Sequence, residues 1–164
     1  MNVVGSECLD RIRTYLDAHG VSYEVRDHSA VYTAQQLAQV EHVPGRTVAK
    51  VVMSVAGAAL VMLVLPAPEQ IDLSRLASVV GKPVRLAHEE DFLGAFPDCE
   101  AGAMPPLGNL YKIPVYADAS FDAASTIVFP AGSHRQTVSL KYADFERLVH
   151  PVVASFAASQ SRTN

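Results

Sequence analysis

The sequence contains few of the residues and runs that announce a common class of site. Its 164 residues include only two cysteines, Cys8 and Cys99, and their wide separation indicates neither a disulfide framework nor a zinc knuckle. The longest apolar run, residues 56–65, is too short to cross a bilayer. The first residues also lack the basic and apolar regions of a signal peptide. We therefore expect a cytoplasmic protein with reduced thiols and no membrane partner.

Positive charge is also scarce. Lysine and arginine number 13 against 17 acidic residues, which gives a formal net charge of −4. A protein that binds nucleic acid without regard to sequence draws its affinity from many phosphate contacts. The charge balance therefore argues against such a protein and against a DNA partner, but it permits a small basic site that grips one end of an RNA.

The familiar catalytic motifs are missing too. There is no G-x-S-x-G sequence, no P-loop and no dinucleotide-binding fingerprint. None of the six histidines forms a pair at the spacing of helical metal ligands, and neither cysteine has an adjacent basic residue that would activate it as a nucleophile. We therefore expect no covalent nucleophile, no metal site and no cofactor.

The residues that are present describe a globular chain. Hydrophobic residues make up 49% of it and charged residues 18%, which is enough to bury a core in one domain. The periodicity and the end signals predict helices over residues 6–19, 33–42, 72–80, 89–96 and 142–149. They predict strands over residues 21–27, 47–55, 58–65, 84–87, 113–116, 125–129 and 137–140.

Strand hairpins mixed with helices favour an α+β fold with a mixed sheet. We interpret residues 1–164 as a single domain with a core of about 6–157. A short helical extension is predicted after residue 151, and the polar tail at 159–164 is predicted to fray.

A stiff loop is predicted at residues 102–108, which read GAMPPLG. Pro105 and Pro106 each fix their own φ and have no N–H, while the glycines permit conformations closed to other residues. A rigid loop with a few aimed amides can bind a carbonyl oxygen or an oxyanion, and an ordinary structural turn is the alternative. The available amides are those of Gly102, Ala103, Met104, Leu107 and Gly108.

Two further features can carry a site. Lys50 stands in the apolar stretch 48–53, so its ammonium must reach solvent, form a pair or line a wet cleft. Strand alternation equally allows it to face solvent. The turn at residues 131–135, which read AGSHR, carries His134 and Arg135 between two strands and is either a donor set for a ligand or a polar hairpin turn.

The order of four segments resembles a known family. Residues 28–34 (HSAVYTA) precede a short helix, residues 48–51 (VAKV) open a hairpin, the loop at 102–108 follows, and the turn at 131–133 precedes a helix that begins YADF. This order resembles the YbaK/ProX (YbaK/EbsC) family of aminoacyl-tRNA deacylases, which is related to the editing insertion of bacterial prolyl-tRNA synthetases. The resemblance covers roughly residues 6–157 and implies one domain with a mixed, barrel-like sheet flanked by helices.

The resemblance implies hydrolysis of the ester that joins a wrong amino acid to the tRNA 3′ end. The partners it implies are that 3′ end and, as a further candidate, an aminoacyl-tRNA synthetase. It assigns catalytic roles to Lys50 and to the amides of Gly102, Ala103 and Met104. It implies substrate contacts for His28, Tyr32, Pro105, Pro106, Gly132, Ser133 and His134.

A mechanism follows as a hypothesis. An aminoacyl ester is already activated, so an enzyme needs only to position water and to stabilise the tetrahedral oxyanion. The resemblance implies that the terminal ribose 2′-hydroxyl helps to activate the water. Lys50 would hold the terminal adenosine or its phosphate, and His134 would orient the substrate or a water.

The substrate and even the reaction stay open at this point. Small side chains would be admitted and larger ones excluded by volume, so alanine, cysteine and serine esters on tRNAPro or a related tRNA are all candidates. Val51 follows the lysine where some alanine-specific members carry a polar residue, so the tRNA is not assigned. The alternatives are a module that binds tRNA ends or a synthetase without turnover, and a hydrolase of other small acyl esters.

Overall fold

The computed structural model describes residues 6–159. Its α-helices are α1 (Ser6–Ala18), α2 (Ala34–Glu41), α3 (Leu73–Val80), α4 (Glu89–Phe92) and α5 (Tyr142–Val149). Short 3₁₀ turns cover Gly45–Thr47, Leu93–Ala95 and Gly108–Tyr111. The strands are β1 (Glu24–Asp27), β2 (Ala49–Ala56), β3 (Ala59–Pro66), β4 (Glu69–Ile71), β5 (Val84–Leu86), β6 (Val115–Asp118), β7 (Thr126–Pro130), β8 (Gln136–Lys141), β9 (Val152–Ala154) and β10 (Ala157–Ser159).

The predicted α+β fold with a mixed sheet is confirmed. The largest sheet has the strand order β5-β2-β3-β6-β9. In it β2 runs antiparallel to β3 and β5, whereas β6 runs parallel to β3 and β9. A second sheet, β1-β8-β7, is antiparallel throughout, and β4 pairs with β10.

The largest sheet is open, so the expectation of a barrel-like sheet is corrected. Closing a barrel requires the two edge strands to pair with each other, and here the edges are β5 and β9 at opposite ends of the order. Among residues 6–159, one isolated bridge joins the two sheets, between Val48 just before β2 and Val128 of β7. Two sheets therefore pack together around a core, and a cleft is left where they meet at the start of β2.

Burial on both faces explains the nearly continuous apolar sequence of β3. Met62 and Val64 belong to the main core, together with residues of α1 and α5. Val61 and Leu63 belong to a second cluster with residues of α3, and Phe156 completes it with no exposed surface. The hairpin β2–β3 is thus the central element of the fold, and Lys50 lies near the start of its first strand.

The predicted helical extension after residue 151 is wrong, because β9 and β10 form there. His150 ends α5 with a φ of 52°, and Pro151 cannot continue a helix. β9 then adds in parallel to the open edge of β6. The Asp118 carboxylate accepts hydrogen bonds from the amides of Phe156 (2.9 Å) and Ala157 (3.0 Å), which turns the chain into β10.

Other differences are smaller. The first predicted strand, 21–27, begins only at Glu24, and the predicted helix 89–96 divides into α4 and a 3₁₀ turn. The sequence does not predict β4, because Pro66 and Pro68 directly precede it. Of the tail predicted to fray, Ser159 ends β10 and residues 160–164 lie outside the described residues. Over residues 6–159, no helix is long and apolar enough to span a membrane.

Candidate functional site

Three chain segments converge over the first residues of β2 and enclose a cavity of about 210 Å³. They are residues 28–34 before α2, the loop at 102–104 and the turn between β7 and β8. Of the residues predicted from sequence, the cavity is lined by His28, Tyr32, Lys50, Gly102, Met104, Ser133 and His134. The sequence motifs therefore meet in space, although they are far apart in the chain.

The first segment is fastened to the turn by backbone hydrogen bonds. The His28 amide donates to the carbonyl of Arg135 (2.9 Å), and the Val31 amide donates to the carbonyl of His134 (3.1 Å). The Thr33 hydroxyl then accepts from an amide of the first turn of α2, as an N-cap residue does. The side chains of His28 and Tyr32 are consequently set against the turn.

Glu100 joins the second segment to the third, and the sequence analysis missed it. Its amide donates to the carbonyl of Gly132 (2.8 Å), and its carboxylate accepts from the amide of His134 (2.8 Å). The Gly132 amide returns a bond to the carbonyl of Ala103 (2.9 Å). The loop and the turn are thus one hydrogen-bonded unit. No sequence signal separates this glutamate from the chain's other acids, because its role depends on a contact 34 residues away.

Gly102 and Gly132 are required by the backbone itself. Their φ angles are +83° and +92°, a region that costs other residues about 1–2 kcal/mol. A Cβ on Gly102 would also lie 3.5 Å from Cε1 of His134. That distance is an ordinary van der Waals contact, so glycine is needed here for its backbone angle and not for space.

Only part of the predicted set of amides fits an oxyanion site. The Ala103 amide donates to the carbonyl of Glu100 (3.0 Å), and Ala103 has no exposed surface, so a catalytic role for this amide does not fit the geometry. The amides of Gly102 and Met104 have no acceptor among residues 6–159, and both residues line the cavity. The number of uncommitted amides is thus two rather than three.

Four predicted residues, Ala103, Pro105, Pro106 and Gly132, lie beside the cavity without lining it. All four are buried. The two prolines stiffen the chain just after Met104, and Gly132 contributes hydrogen bonds to the unit described above. Substrate contacts with Pro105, Pro106 and Gly132 therefore do not fit the cavity, and these residues support its wall.

Lys50 is half-buried and lines the cavity. Within the described part of the chain, its ammonium has neither an ion pair nor a hydrogen bond. Burial lowers the pKa of Lys50, and the carboxylate of Glu69 partly opposes that change. Glu69 itself is paired with Arg46 at 3.1 Å. Of the readings left open by the sequence, the wet cleft is therefore the one that the structure supports.

The two histidines of the cavity each have one ring nitrogen committed to a carbonyl. Nε2 of His134 lies 2.8 Å from the carbonyl of Ala101, and Nδ1 of His28 lies 2.7 Å from the carbonyl of Ser29. Since a carbonyl can only accept, these nitrogens carry the protons, and in the neutral ring the opposite nitrogen is an acceptor. Nε2 of His28 is buried without a partner among residues 6–159.

Two further side chains shape the cavity. The ring of Tyr32 is 71% exposed and lies 4.7 Å from the ring of His134, so it forms an aromatic rim. Thr137 of β8 is 1% exposed and lines the interior, and the sequence analysis missed it because alternation along a strand does not reveal which face meets a cavity. The interior thus offers both polar and apolar contacts.

A comparison with family models identifies the fold's relatives. Residues 28–148 match the model of the aminoacyl-tRNA editing domain. The chain belongs to this family. The match begins at His28 and includes every residue that lines the cavity. An editing domain is a hydrolase module, and the predicted membership in a family of aminoacyl-tRNA deacylases is confirmed.

One curated relative of this editing domain is the multifunctional Ser/Thr-tRNA deacylase ProXp-y of Escherichia coli K12. The two are 29% identical over 157 residues, which cover 93% of this chain and 94% of the relative. The relative in Escherichia coli O157:H7 has the same name and the same identity. The similarity therefore extends over nearly the whole of both proteins.

Solved structures share the fold of this editing domain. One, described as a candidate trans-editing enzyme for prolyl tRNA synthetase, has a TM-score of 0.82 at 20% identity and covers 94% of this chain and 99% of its own. Another, a hypothetical protein, has a TM-score of 0.82 at 16% identity over 90% of this chain and 99% of its own. At these identities the likeness establishes the fold.

Proposed function

We propose that this chain is a trans-editing hydrolase that removes a small amino acid from the 3′ end of a mischarged tRNA. One observation carries the proposal: a cavity of an editing domain holds a lysine and two loop amides that have no partner within residues 6–159. A free cation suits a phosphate of the tRNA terminus, and free amides suit the oxyanion of a tetrahedral intermediate.

The reaction needs no covalent intermediate. Water adds to the ester carbonyl carbon, and its departing proton passes to the terminal ribose 2′-hydroxyl, which gives its own proton to solvent at the same time. The C–O bond to the ribose then breaks, the ribose oxygen regains a proton, and a free amino acid and an intact tRNA leave. Gly102 and Met104 donate to the oxyanion, and Lys50 holds the terminal nucleotide in place.

The histidines supply acceptors around the reacting ester. Nδ1 of His134 is the nitrogen left to accept from a water or from the substrate's amino group, because Nε2 is held by the loop. Nε2 of His28 has no partner within residues 6–159 and accepts from a hydroxyl or an amino group of the bound ester. Both roles orient groups, and neither requires the histidine to act as a general base.

The size of the cavity favours a small aminoacyl group. Its volume of about 210 Å³ is below the roughly 300–1,000 Å³ of sites for drug-sized ligands, so the terminal adenosine must stay near the Tyr32 rim. Alanine, cysteine and serine esters fit this description. Threonine joins them because the curated relative is a Ser/Thr-tRNA deacylase, and Thr137 and His28 provide polar contacts for a hydroxyl group.

The test is single-turnover deacylation of tRNAs charged with serine, threonine, alanine or cysteine, with tRNAPro among the acceptors. The wild type, Lys50→Met and the control Lys82→Met are compared. Lys82 is exposed and lies beside the β2–β3 turn, at the far end of β2 from Lys50. Rapid loss of one ester that Lys50→Met abolishes and Lys82→Met preserves supports the proposal and names the substrate.

Two outcomes contradict the proposal. If no ester is hydrolysed while the tRNA still binds, the chain is a binding module for tRNA ends. If free aminoacyl esters react as fast as the tRNA esters, the tRNA is not the partner. The same assay with and without an added synthetase tests whether a synthetase is required. The synthetase partner and the cytoplasmic location both stay predictions.

A further inference from the structure

The two cysteines that the sequence separates by 91 positions meet in the core. Cys8 lies on α1, and Cys99 lies three residues before Gly102, where the loop begins. Their sulfur atoms are 3.4 Å apart. Asp98 and Tyr111 complete a group that we name the thiol cluster: Cys8, Asp98, Cys99 and Tyr111.

The donor atoms of the thiol cluster lie close together. The Tyr111 hydroxyl lies 3.4 Å from each sulfur and 3.0 Å from Oδ1 of Asp98. The Cys99 sulfur lies 3.6 Å from the same oxygen. Among residues 6–159, Cys8, Asp98 and Cys99 are the one set of three Cys, His, Asp or Glu side chains whose donor atoms all lie within 4.8 Å of one another.

These five distances are close to the edges of a tetrahedral zinc site. With Zn–S bonds of about 2.3 Å and Zn–O bonds of about 2.0 Å, a tetrahedron has edges of roughly 3.3–3.8 Å. The observed edges of 3.0–3.6 Å need only a slight expansion. A disulfide would instead require the sulfurs to approach to about 2.05 Å, a larger displacement of two side chains held in the core.

The surroundings also suit a divalent cation. Cys8, Asp98 and Cys99 have exposed fractions of 0%, 6% and 8%. Nε of Arg11 lies 3.4 Å from Oδ2 of Asp98, so the other carboxylate oxygen remains directed to the sulfurs. Two thiolates, one carboxylate and a divalent cation sum to −1, and the guanidinium of Arg11 balances that charge. An arginine that orients a ligating carboxylate acts as outer-shell support for a metal site.

We propose that Cys8, Cys99 and Asp98 bind one zinc ion, with the Tyr111 hydroxyl at the fourth corner. Binding converts both thiols to thiolates and releases two protons, because the metal takes the place of the S–H hydrogens. The site joins α1 to the segment that begins at Asp98 and reaches the cavity at Gly102. It is therefore a structural site that fixes the chain at the start of the loop at 102–108.

The first experiment measures the binding of Zn²⁺ and of Co²⁺ to the untagged, reduced wild-type protein. We expect one Zn²⁺ per chain in competition with a chromophoric chelator and release of about two protons. We also expect a tetrahedral Co²⁺ spectrum with thiolate charge-transfer absorption. The chain has only two cysteines, so that absorption assigns the ligands without any substitution.

Variants then test the individual ligands. Cys8→Ser, Cys99→Ser and Asp98→Asn should each weaken Zn²⁺ binding at least about 100-fold, and Tyr111→Phe about 10-fold. The matched control is Asp17→Asn, since Asp17 lies on the same helix and bonds to Tyr23 instead. Circular dichroism of each metal-free variant checks that it is folded.

Three results would overturn the proposal. The wild type could fail to take up stoichiometric Zn²⁺, its Co²⁺ form could lack thiolate absorption, or Cys8→Ser could fold and bind as tightly as the wild type. If the reduced protein takes up no metal and a peroxide links Cys8 to Cys99, the thiol cluster is a redox pair. None of these results depends on deacylase activity, so they leave the proposed function to its own test.

Discussion

The thiol cluster and the cavity are joined by a short stretch of chain, because the cluster includes Asp98 and Cys99 and the cavity is lined by Gly102 and Met104. Their polar groups differ in whether they have hydrogen-bond partners. In the thiol cluster the polar groups bond to one another, as in the hydrogen bond from Tyr111 to Asp98. In the cavity the ammonium of Lys50, Nε2 of His28 and two loop amides are left without partners in the described part of the chain. Burying an unpaired polar group is costly, and under the proposed function the tRNA ester supplies the missing partners in the cavity.

The acid–base behaviour of the two regions differs for the same reason. The pKa of Cys8 is lowered, chiefly because the Cys99 thiol donates a hydrogen bond to it, whereas hydrogen bonding to Cys8 and burial raise the pKa of Cys99. The pKa of Lys50 is lowered by burial. Hydrogen bonding between neighbours is thus the largest influence on the pKa values of the two thiols, whereas burial is the largest influence on the pKa of the lysine.

The largest expected effect is the loss of activity in Lys50→Met. Truncating a charged partner of a ligand typically costs 2–5 kcal/mol, so kcat/KM for the tRNA ester should fall about 100-fold or more. Single-turnover kinetics measure this, with Lys82→Met as the control that should keep its rate. Equal rates for the wild type and Lys50→Met would show that Lys50 does not take part in binding or in the reaction.

The next largest effect tests whether activity depends on the backbone conformation of the loop at Gly102. Gly102→Ala introduces a Cβ at a φ of +83°, so we expect a loss of stability of about 1 kcal/mol, or about 3 °C in Tm. Displacement of the loop amides should also reduce kcat about 10-fold. Gly81→Ala is the matched control, because Gly81 has a φ of +76° with no atom near its Cβ position. Gly81→Ala should lose similar stability and keep its rate, and equal kinetic losses in both variants would make the loop only structural.

A smaller effect tests the clamp between the loop and the turn. Glu100→Ala removes the acceptor of the His134 amide, which should lower stability by about 1 kcal/mol and reduce kcat by roughly 5-fold. Glu100→Gln retains an acceptor oxygen and should recover most of the rate. If Glu100→Gln and Glu100→Ala are equally impaired, the negative charge rather than the hydrogen bond is what the site needs.

The smallest effect is a gain in stability with a definite pH dependence. The lowered pKa of Lys50 means that the unfolded chain binds its proton more tightly than the folded one. The charged lysine therefore destabilises the fold below its folded pKa, and this penalty disappears as the pH rises toward the ordinary value of 10.5. At neutral pH Lys50→Met should melt above the wild type, and the gap should narrow in alkaline solution. A gap that widens with pH would contradict the assigned cause.

Local sequence signals predicted the elements well where each signal has a local cause. The side chains of Thr33 and Asp72 cap α2 and α3 by accepting hydrogen bonds from amides of the first turns, as their positions before those helices predict. Gly81 ends α3 in the left-handed conformation. The C-terminal strands could not be predicted in the same way, because β9 forms only by pairing with an edge of β6 that lies more than 30 residues earlier.

The residues of the candidate site also differ in whether a local sequence signal could predict them. Lys50, Gly102 and His134 could be singled out from the sequence because each is an unusual residue in its local setting. Glu100 and Thr137 could not, since their roles come from contacts across the fold. The commitment of the Ala103 amide to Glu100 likewise follows from the turn that the loop makes, which no proline or glycine pattern specifies.

The sequence by itself determined the α+β class, the stiff loop and the family, because these depend on short-range backbone preferences and on the order of motifs along the chain. Only the tertiary structure decided which loop amides stay free, which nitrogen of each histidine is an acceptor, and that Cys8 and Cys99 lie 3.4 Å apart. Each of these depends on groups brought together from distant positions, and such contacts are selected by the packing of the whole core rather than by any local pattern.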